Sequence, residues 1–322
     1  MNNQVLETLE KIGLIPLAVL DSADDAVPLA KALKAGGVET MEITFRTDCA
    51  LEAMEAVKKQ MPDFLVGAGT VLTVSQAENA VKYGADYIVM PGFDADIVDW
   101  CVNHGIPVIP GCVTATEVQA AVAKGLSVLK FFPAENCGGV KACTGLAGPF
   151  QKVRFLPTGG INYDNLSDYV NKDYIFAIGG SWLCSKEDIK IGNWEKITET
   201  VKKSVQKMLG YEVVHVGINT QSAKEAGTIS ERLSELFGFK ENRGSLSTFV
   251  GTGFEINHSV GLGSNGHVAI DTNSVARAEY YLSKQGITFR EDSRVMNGDK
   301  TAVVYLQQEF GGFAIHLRQR KK

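Results

Sequence analysis

The stretch IPVIPGCVTATEVQAAVAKGLSVLKFFP, residues 106–133, contains one complete unit of the pattern that decides the fold. It begins with an apolar run (106–111), continues with an amphipathic helical pattern that stops at Gly125, and ends with a second apolar run (126–133). A glycine is a common helix stop. Apolar runs without alternating polar residues are typical of parallel strands covered on both faces. The stretch therefore predicts a strand–helix–strand unit with parallel strands.

The same unit recurs along the chain. Apolar runs begin roughly every 20–26 residues, which is the length of a strand–helix unit with short loops. There are eight of them, at residues 15–20, 39–45, 64–69, 85–92, 106–111, 126–133, 153–160 and 174–180. Eight units predict an α/β domain folded as a (β/α)8 TIM barrel, with its active site at the C-terminal ends of the strands. A doubly wound open sheet is the alternative, which is disfavoured because no GxGxxG turn follows the first run.

Beyond Gly210 the pattern changes, so we expect one domain at residues 1–209 and a second at 210–322. The second part consists of two similar halves. Each begins with a short strand, VVHVGIN or HVAID, and continues with a helical pattern and further strands. The repeat predicts a smaller α+β domain of two βαβββ modules.

The composition excludes several classes of protein. The 322 residues carry a net charge of -5 without a Lys/Arg-rich face, which argues against a nucleic-acid partner. No run reaches the ~18 apolar residues that a membrane helix needs, and the N-terminus lacks the features of a signal peptide. The six cysteines include no CxxC pair, which indicates reduced thiols. We expect a soluble, cytoplasmic protein.

Lys130 lies within a run that otherwise predicts a buried strand, VLKFF. Burying an amine without a partner is costly. Desolvation favours the neutral amine, which is the form that attacks a carbonyl to make a Schiff base. A structural lysine that snorkels to the strand end, or that pairs with a carboxylate, is the alternative.

Two further residues suited to chemistry lie at the second run: Glu42 within it and Arg46 directly after it. A carboxylate near a neutral amine can move protons between carbinolamine, imine and enamine. Alternatively, Glu42 is only an ion-pair partner of Lys130 or Arg46. Arg46 follows the strand and suits the binding of a substrate carboxylate.

Glycine-rich segments end the seventh and eighth runs, at residues 157–160 and 179–181. Barrels commonly bind phosphate at these two strand ends through backbone N–H groups. Cys112 directly follows the fifth run and could be a nucleophile, but no nearby histidine supports that interpretation.

Several ordered motifs together resemble one family, the KDPG/KHG aldolases. The motifs are GAGTVL (67–72), LKFFPAE (129–135), GGVKA (138–142), GPF (148–150), PTGGI (157–161) and IGGSWL (178–183). The resemblance covers about residues 5–208. It implies a class I aldolase that cleaves 2-dehydro-3-deoxy-6-phosphogluconate to pyruvate and glyceraldehyde 3-phosphate, or 4-hydroxy-2-oxoglutarate to pyruvate and glyoxylate. It also implies a homotrimer without a metal and a place in the Entner–Doudoroff pathway.

The resemblance further implies the roles of individual residues. Lys130 is expected to form the Schiff base and Glu42 to act as general acid and base. The implied substrate-binding residues are Arg46, Thr70 and Pro91 at the pyruvoyl group, Thr158 beside the substrate, and Gly159, Gly160, Gly180 and Ser181 at the phosphate. Leu20 and Asp21 stand where some branches of the family carry an arginine. The choice between the two substrates stays open.

Four of the five histidines follow residue 210. The motifs HVGIN, GFEIN, GHVAI and FAIHL resemble the glyoxalase/dioxygenase superfamily over about residues 211–320. The resemblance implies metal ligands at His215, Glu255, His267 and His316, a set that suits Zn, Ni, Mn or Fe. The second domain is then a metal-dependent lyase, isomerase or dioxygenase. A metal-free module for ligand binding or assembly is the alternative.

Overall fold

A computed structural model describes residues 3–321 of the chain. The chain forms two compact units that divide between Met208 and Leu209, one residue from the predicted domain boundary. Among the described residues, none of the helices has the length and apolar character to cross a membrane.

The first unit alternates strands and helices. Its strands are β1 (Leu14–Ala18), β2 (Thr40–Thr44), β3 (Leu65–Gly69), β4 (Tyr87–Val89), β5 (Val108–Ile109), β6 (Val128–Phe131), β7 (Arg154–Pro157) and β8 (Ile178–Gly180). Its helices are α1 (Asn3–Ile12), α2 (Ala26–Ala35), α3 (Ala50–Gln60), α4 (Val74–Lys82), α5 (Ala95–Asn103), α6 (Ala115–Ala123), α7 (Gly139–Ala147), α8 (Lys186–Lys190) and α9 (Trp194–Leu209). Every predicted apolar run contains most or all of one strand.

All strand pairs of the first unit are parallel. One sheet has the order β5-β4-β3-β2-β1-β8, and β6 pairs with β7. Single bridges join the two sets, between Gly111 and Lys130 on one side and between Thr158 and Gly179 on the other. The strands therefore form a barrel-like parallel sheet, and the predicted α/β class is confirmed. Because the strands are parallel, their C-terminal ends meet at one edge.

Side-chain caps begin several of the helices that follow the C-terminal ends of the strands. Thr114 and Glu117 form a capping box at α6, in which the Thr114 side chain accepts from the Glu117 N–H and the Glu117 carboxylate accepts from the Thr114 N–H. Thr73 caps α4 and Asp94 caps α5 in the simpler way, with a side-chain oxygen that accepts from the first turn. Each cap satisfies N–H groups that have no partner within the helix. The unit after β7 departs from the pattern, because only a short 3-10 turn (Leu166–Asp168) follows it.

The interior of the barrel is filled by large side chains that need small neighbours. Tyr87 is fully buried, and its hydroxyl lies 2.9 Å from the Thr40 hydroxyl. Gly67 stands beside its ring, and a Cβ at that position would lie 2.3 Å from two ring atoms. Burial raises the pKa of Tyr87 far above its usual value, so the phenol stays neutral. The ring fills the barrel below the strand ends only because Gly67 has no side chain.

The second unit is mainly β. Its strands are β9 (Glu212–Ile218), β10 (Glu241–Arg243), β11 (Ser247–Val250), β12 (Phe254–Asn257), β13 (Gly266–Thr272), β14 (Phe289–Asn297), β15 (Lys300–Phe310) and β16 (Phe313–Gln319). They form one sheet in the order β10-β11-β12-β9-β13-β16-β15-β14. Two helices accompany them, α10 (Ala223–Phe237) and α11 (Val275–Ser283).

Helix α10 covers an apolar face of this sheet. Ala226 of the helix packs with Val250 and Ile256, all of them fully buried. Because side chains alternate along a strand, residues next to Val250 and Ile256 point to the opposite face. Phe249 and Glu255 are therefore on the face away from α10.

We expect Gly67→Ala to destabilise the first unit by about 1–3 kcal/mol, because the added methyl overpacks the Tyr87 ring. All three tryptophans, Trp100, Trp182 and Trp194, lie in this unit, so tryptophan fluorescence in urea reports its unfolding. Gly145→Ala in α7 is the matched control, because a Cβ there meets no atom within 4 Å. Equal unfolding midpoints for the two variants would contradict the prediction.

Candidate functional site

Lys130 and Glu42 meet inside the barrel. The Nζ of Lys130 donates to Oε1 of Glu42 at 3.1 Å, and the two side chains are 4% and 1% exposed. The structure thus decides between the two candidate partners of Glu42 in favour of Lys130. The amine also lies 5.2 Å from the centre of the Phe132 ring. A buried amine and carboxylate at this distance compensate each other's loss of water.

Small residues and strand bonds position this pair. Gly69, at the end of β3, leaves the room that the carboxylate occupies, since a Cβ there would lie 2.3 Å from Oε1 of Glu42. Two hydrogen bonds hold the backbone of Lys130 to the segment that follows β5: its N–H donates to Pro110 and its carbonyl accepts from Cys112, each at 2.8 Å.

The second oxygen of the carboxylate lies in a different environment from the first. Oε2 of Glu42 is buried and has no hydrogen-bond partner among residues 3–321. A buried acceptor without a partner is costly and calls for an explanation. It is available to take a proton from a bound molecule while Oε1 stays in contact with Lys130.

The residues predicted to hold the pyruvoyl group lie at the same edge. Thr70 directly follows β3 in a left-handed conformation, with φ of 60°, which is strained for a non-glycine residue. Arg46 lies two residues beyond β2 and is exposed, while Pro91 follows β4 and is half-buried. The N–H of Phe45 donates to the Gly69 carbonyl at 2.8 Å, which ties the ends of β2 and β3 together.

The glycine-rich segments end β7 and β8, as predicted. Gly159 and Gly160 have positive φ values of 97° and 80°, so a side chain would be strained at either position. Thr158 is buried, and a Cβ on Gly179 would lie 2.3 Å from its hydroxyl oxygen. Gly180 ends β8, and Ser181 begins the following 3-10 turn with an exposed side chain.

The sequence did not predict which side chains support the glycine-rich segment that follows β7. The hydroxyl of Tyr169 donates to Glu135, whose side chain occupies the space that a Cβ on Gly160 would need. The Glu135 N–H donates to the Gly159 carbonyl at 3.1 Å. Glu135 lies in the LKFFPAE motif, which was a signal for it, but Tyr169 carries none.

The structure argues against Cys112 as a nucleophile. Its thiol is buried, and burial together with the nearby Glu117 raises its pKa to about 12. The thiol is therefore protonated at neutral pH, whereas the thiolate is the nucleophilic form.

A second polar cluster lies on the sheet of the other unit. Strand register places its members side by side: Gly217 of β9 is opposite both Glu255 of β12 and His267 of β13. In the next row, Ala269 of β13 is opposite His215 and His316; the cluster comprises His215, Glu255, His267 and His316. All four predicted ligands are therefore on one face, away from α10.

The atoms of this cluster converge closely. Oε2 of Glu255 lies 3.0 Å from Nε2 of His215 and 3.2 Å from Nε2 of His267, and those two nitrogens are 3.2 Å apart. One ring nitrogen from each histidine lies within 4.8 Å of the others. Both ring nitrogens of His316 are buried and lack a hydrogen-bond partner among the described residues. The donor set fits a divalent transition-metal ion, since orphaned buried nitrogens and converging imidazoles are what such an ion requires.

The charges in the cluster follow from these contacts. Burial lowers the pKa of His316 to about 3, helped by His267, His215 and Arg318. His316 is therefore neutral at pH 7, as a ligand must be. Burial alone would raise the pKa of Glu255, but hydrogen bonds from His215, His267 and Ser247 outweigh it and hold that pKa well below its usual range.

Small residues again make the arrangement possible. A Cβ on Gly217 would lie 2.0 Å from the His267 ring, and Ala269 is fully buried between His215 and His316.

The sequence did not predict two neighbours of the histidine cluster. Tyr305 lies opposite His316, with its ring centre 4.5 Å from that of the imidazole, and Arg318 contacts His215.

Known sequences identify the first unit. The sequence matches the model of the KDPG and KHG aldolase family over residues 5–200. The chain belongs to this family. It is an enzyme, a carbon–carbon lyase of the class I aldolase type. Residues 201–322, which include the whole second unit, lie outside the family model.

Individual aldolases are similar over the same part of the chain. A 2-dehydro-3-deoxy-phosphogluconate aldolase of Treponema pallidum is 46% identical over 202 residues, 63% of this chain and 96% of that protein. A KHG/KDPG aldolase of Escherichia coli is 42% identical over 193 residues, 60% of this chain and 91% of that protein. The crystal structure of a Legionella pneumophila KDPG aldolase, with pyruvate captured as a covalent carbinolamine, superimposes with a TM-score of 0.60. It is 37% identical and covers 61% of this chain and 96% of that one.

We expect Gly69→Ala to slow aldol cleavage by about tenfold or more, because positioned acid–base groups contribute about 10²–10⁴-fold to such reactions. The added methyl would displace the Glu42 carboxylate from Lys130. Steady-state cleavage rates measure the loss, and circular dichroism shows whether the fold survives. Gly145→Ala serves as the control, and a Gly69→Ala enzyme with the same rate as that control would contradict the prediction.

Proposed function

We propose that the first unit is a Schiff-base aldolase for 2-oxo acids, with Lys130 as the nucleophile and Glu42 as the general acid and base. The substrates are 2-dehydro-3-deoxy-6-phosphogluconate, 4-hydroxy-2-oxoglutarate or both, as the names of the relatives suggest. The observation that carries the proposal is the buried contact of 3.1 Å between the two side chains. An amine kept from water beside a carboxylate with one free oxygen is suited to this chemistry.

The first step forms the imine. Nζ of Lys130 attacks the C2 carbonyl of the substrate, and the proton that the nitrogen loses passes through Glu42 to the carbonyl oxygen, which gives a neutral carbinolamine. Glu42 then passes a proton from solvent to this oxygen, which leaves as water, so a protonated imine joins C2 to Lys130. The carboxylate can act in this way because Oε2 has no other partner within the described residues.

The second step breaks the carbon chain. Glu42, as the general base, takes the proton of the C4 hydroxyl, the C3–C4 bond breaks, and its electron pair moves into the imine to form an enamine. The products are glyceraldehyde 3-phosphate or glyoxylate and, after the enamine gains a proton at C3 and is hydrolysed, pyruvate. No metal is required, because the protonated imine accepts the electrons.

The rest of the strand edge would bind the substrate. Arg46 and Thr70 suit the pyruvoyl carboxylate, with Pro91 shaping the pocket beside them. Thr158 would lie alongside the carbon chain. The phosphate would bind to backbone N–H groups where β7 and β8 end, at Gly159, Gly160, Gly180 and Ser181.

The proposal extends to the organisation of the protein. We assign residues 1–209 to a (β/α)8 TIM barrel and residues 210–322 to a second domain. The aldolase would act as a cytoplasmic homotrimer in the Entner–Doudoroff pathway, as its resemblance to the family implies. Its partners are then small 2-oxo acids.

Borohydride reduction tests the role of Lys130. With pyruvate present, reduction should attach a stable adduct to Lys130, located by mass spectrometry of the digested protein. Lys130→Met should abolish both the adduct and cleavage, whereas Lys152→Met, at an exposed position of the same unit, should keep both. Trapping at another lysine, or none, would overturn the proposal. Rates with the two substrates, measured alongside, show which one the enzyme prefers.

We propose, as a second function, that the other domain consists of two βαβββ modules that hold a divalent metal ion on His215, Glu255, His267 and His316. The convergence of these four side chains and the orphaned nitrogens of His316 support the proposal. A metal held there would act as a Lewis acid toward an oxygen-bearing substrate. The chain is then a bifunctional enzyme, with a metal-dependent lyase, isomerase or dioxygenase beside the aldolase.

Metal analysis of the full chain tests this site. The protein, stripped with chelator and titrated with Zn²⁺ or Ni²⁺, should bind one ion more than the double variant His215→Ala/His316→Ala. The double variant corrects for binding by the six free cysteines. Equal binding by both proteins would leave the domain as a metal-free module for ligand binding or assembly.

A further inference from the structure

Arg318 makes a contact that is unusual for a residue beside a metal site. Its Nη1 lies 3.2 Å from Nδ1 of His215, and its Nε donates to Oδ1 of Asp271 at 2.9 Å. The register places the three residues together, because Asp271 of β13 is opposite Arg318 of β16. The guanidinium is therefore held at the border of the cluster by a carboxylate on one side and an imidazole on the other.

The chemistry of arginine assigns the proton of His215. Guanidinium has only donors, so Nδ1 of His215 must be the acceptor. A neutral imidazole with a lone pair on Nδ1 carries its hydrogen on Nε2. That N–H points at Oε2 of Glu255, 3.0 Å away. Without a metal, a continuous chain of hydrogen bonds therefore runs from Asp271 through Arg318 and His215 to Glu255.

This arrangement opposes coordination. Nε2 is the nitrogen of His215 that faces Glu255 and His267, so a metal would need the lone pair that now carries a hydrogen. A neutral ligand histidine has its hydrogen on the other nitrogen and donates it to a carboxylate or a carbonyl. At His215 that hydrogen would point at the donors of Arg318. The contact must break before His215 can become a neutral ligand.

We propose that Arg318 blocks metal binding and in this sense acts as a latch. A divalent cation binds to the cluster only after Arg318 has moved away from His215, while it remains paired with Asp271. This inference rests on the proposed metal site and adds to it the residue that regulates metal binding. The usual partner of a ligand histidine strengthens metal binding, and its loss weakens affinity about 10–100-fold. Loss of Arg318 should instead strengthen the binding of the metal.

Zn²⁺ titration of the chelator-treated full chain tests the latch. Arg318→Met should lower the Kd for Zn²⁺ about tenfold or more, a change of the size that ligand-histidine partners produce. Arg320→Met is the matched control. It removes the same charge two positions away, where the guanidinium pairs with the Gly210 carbonyl and Glu212 rather than a histidine. Its Kd should equal that of the unchanged protein.

A spectroscopic readout separates the latch from simple charge repulsion. The chain has only five histidines, so ¹⁵N-histidine labelling gives a sparse NMR spectrum of the metal-free protein. His215 should carry its hydrogen on Nε2 in the unchanged protein and in Arg320→Met, and should populate the Nδ1–H form in Arg318→Met. A change in affinity without this change of tautomer would overturn the latch.

The remaining outcomes are also decisive. If the unchanged protein binds Zn²⁺ at the cluster and Arg318→Met binds it no more tightly, the latch is wrong and the metal site stands. If neither protein binds more Zn²⁺ than His215→Ala/His316→Ala, the metal site is wrong and the latch falls with it.

Discussion

The buried contact between Lys130 and Glu42 is the constraint on which the first unit depends. Removing an amine and a carboxylate from water is costly, and the cost is offset only when the two groups meet at hydrogen-bond distance. They meet at 3.1 Å although 88 residues separate them in sequence. The parallel strands must therefore be held in one register, and Gly69 must lack a side chain where the carboxylate lies. Fold and chemistry share this requirement.

Both units build a polar site from strand register and small residues. In the first, Gly67 admits Tyr87 and Gly69 admits Glu42. In the second, Gly217 has no side chain that would clash with the His267 ring, and the buried Ala269 separates His215 from His316. Side chains that point to one face of a sheet crowd each other unless some of them are small. The small residues thus decide which polar groups come into contact.

The two sites differ in how ready they are for their ligands. In the first site, one carboxylate oxygen of Glu42 lies beside the amine of Lys130 without a hydrogen-bond partner among the described residues. In the second cluster, orphaned nitrogens on His316 lie beside a closed set of contacts among His215, Glu255 and Arg318. The first site thus offers an acceptor that no other group occupies, whereas the metal binding proposed for the second would first require a hydrogen bond to break.

The sequence by itself determined the eight parallel strands, since apolar runs and glycine helix stops are local signals. It also determined that Lys130 is buried in a strand, and strand alternation was enough to place His215 and Glu255 on polar faces. Only the tertiary structure decided that Glu42 pairs with Lys130 rather than Arg46, and that Arg318 faces Nδ1 of His215. These contacts depend on register and side-chain direction between strands far apart in the chain, and no local periodicity encodes them.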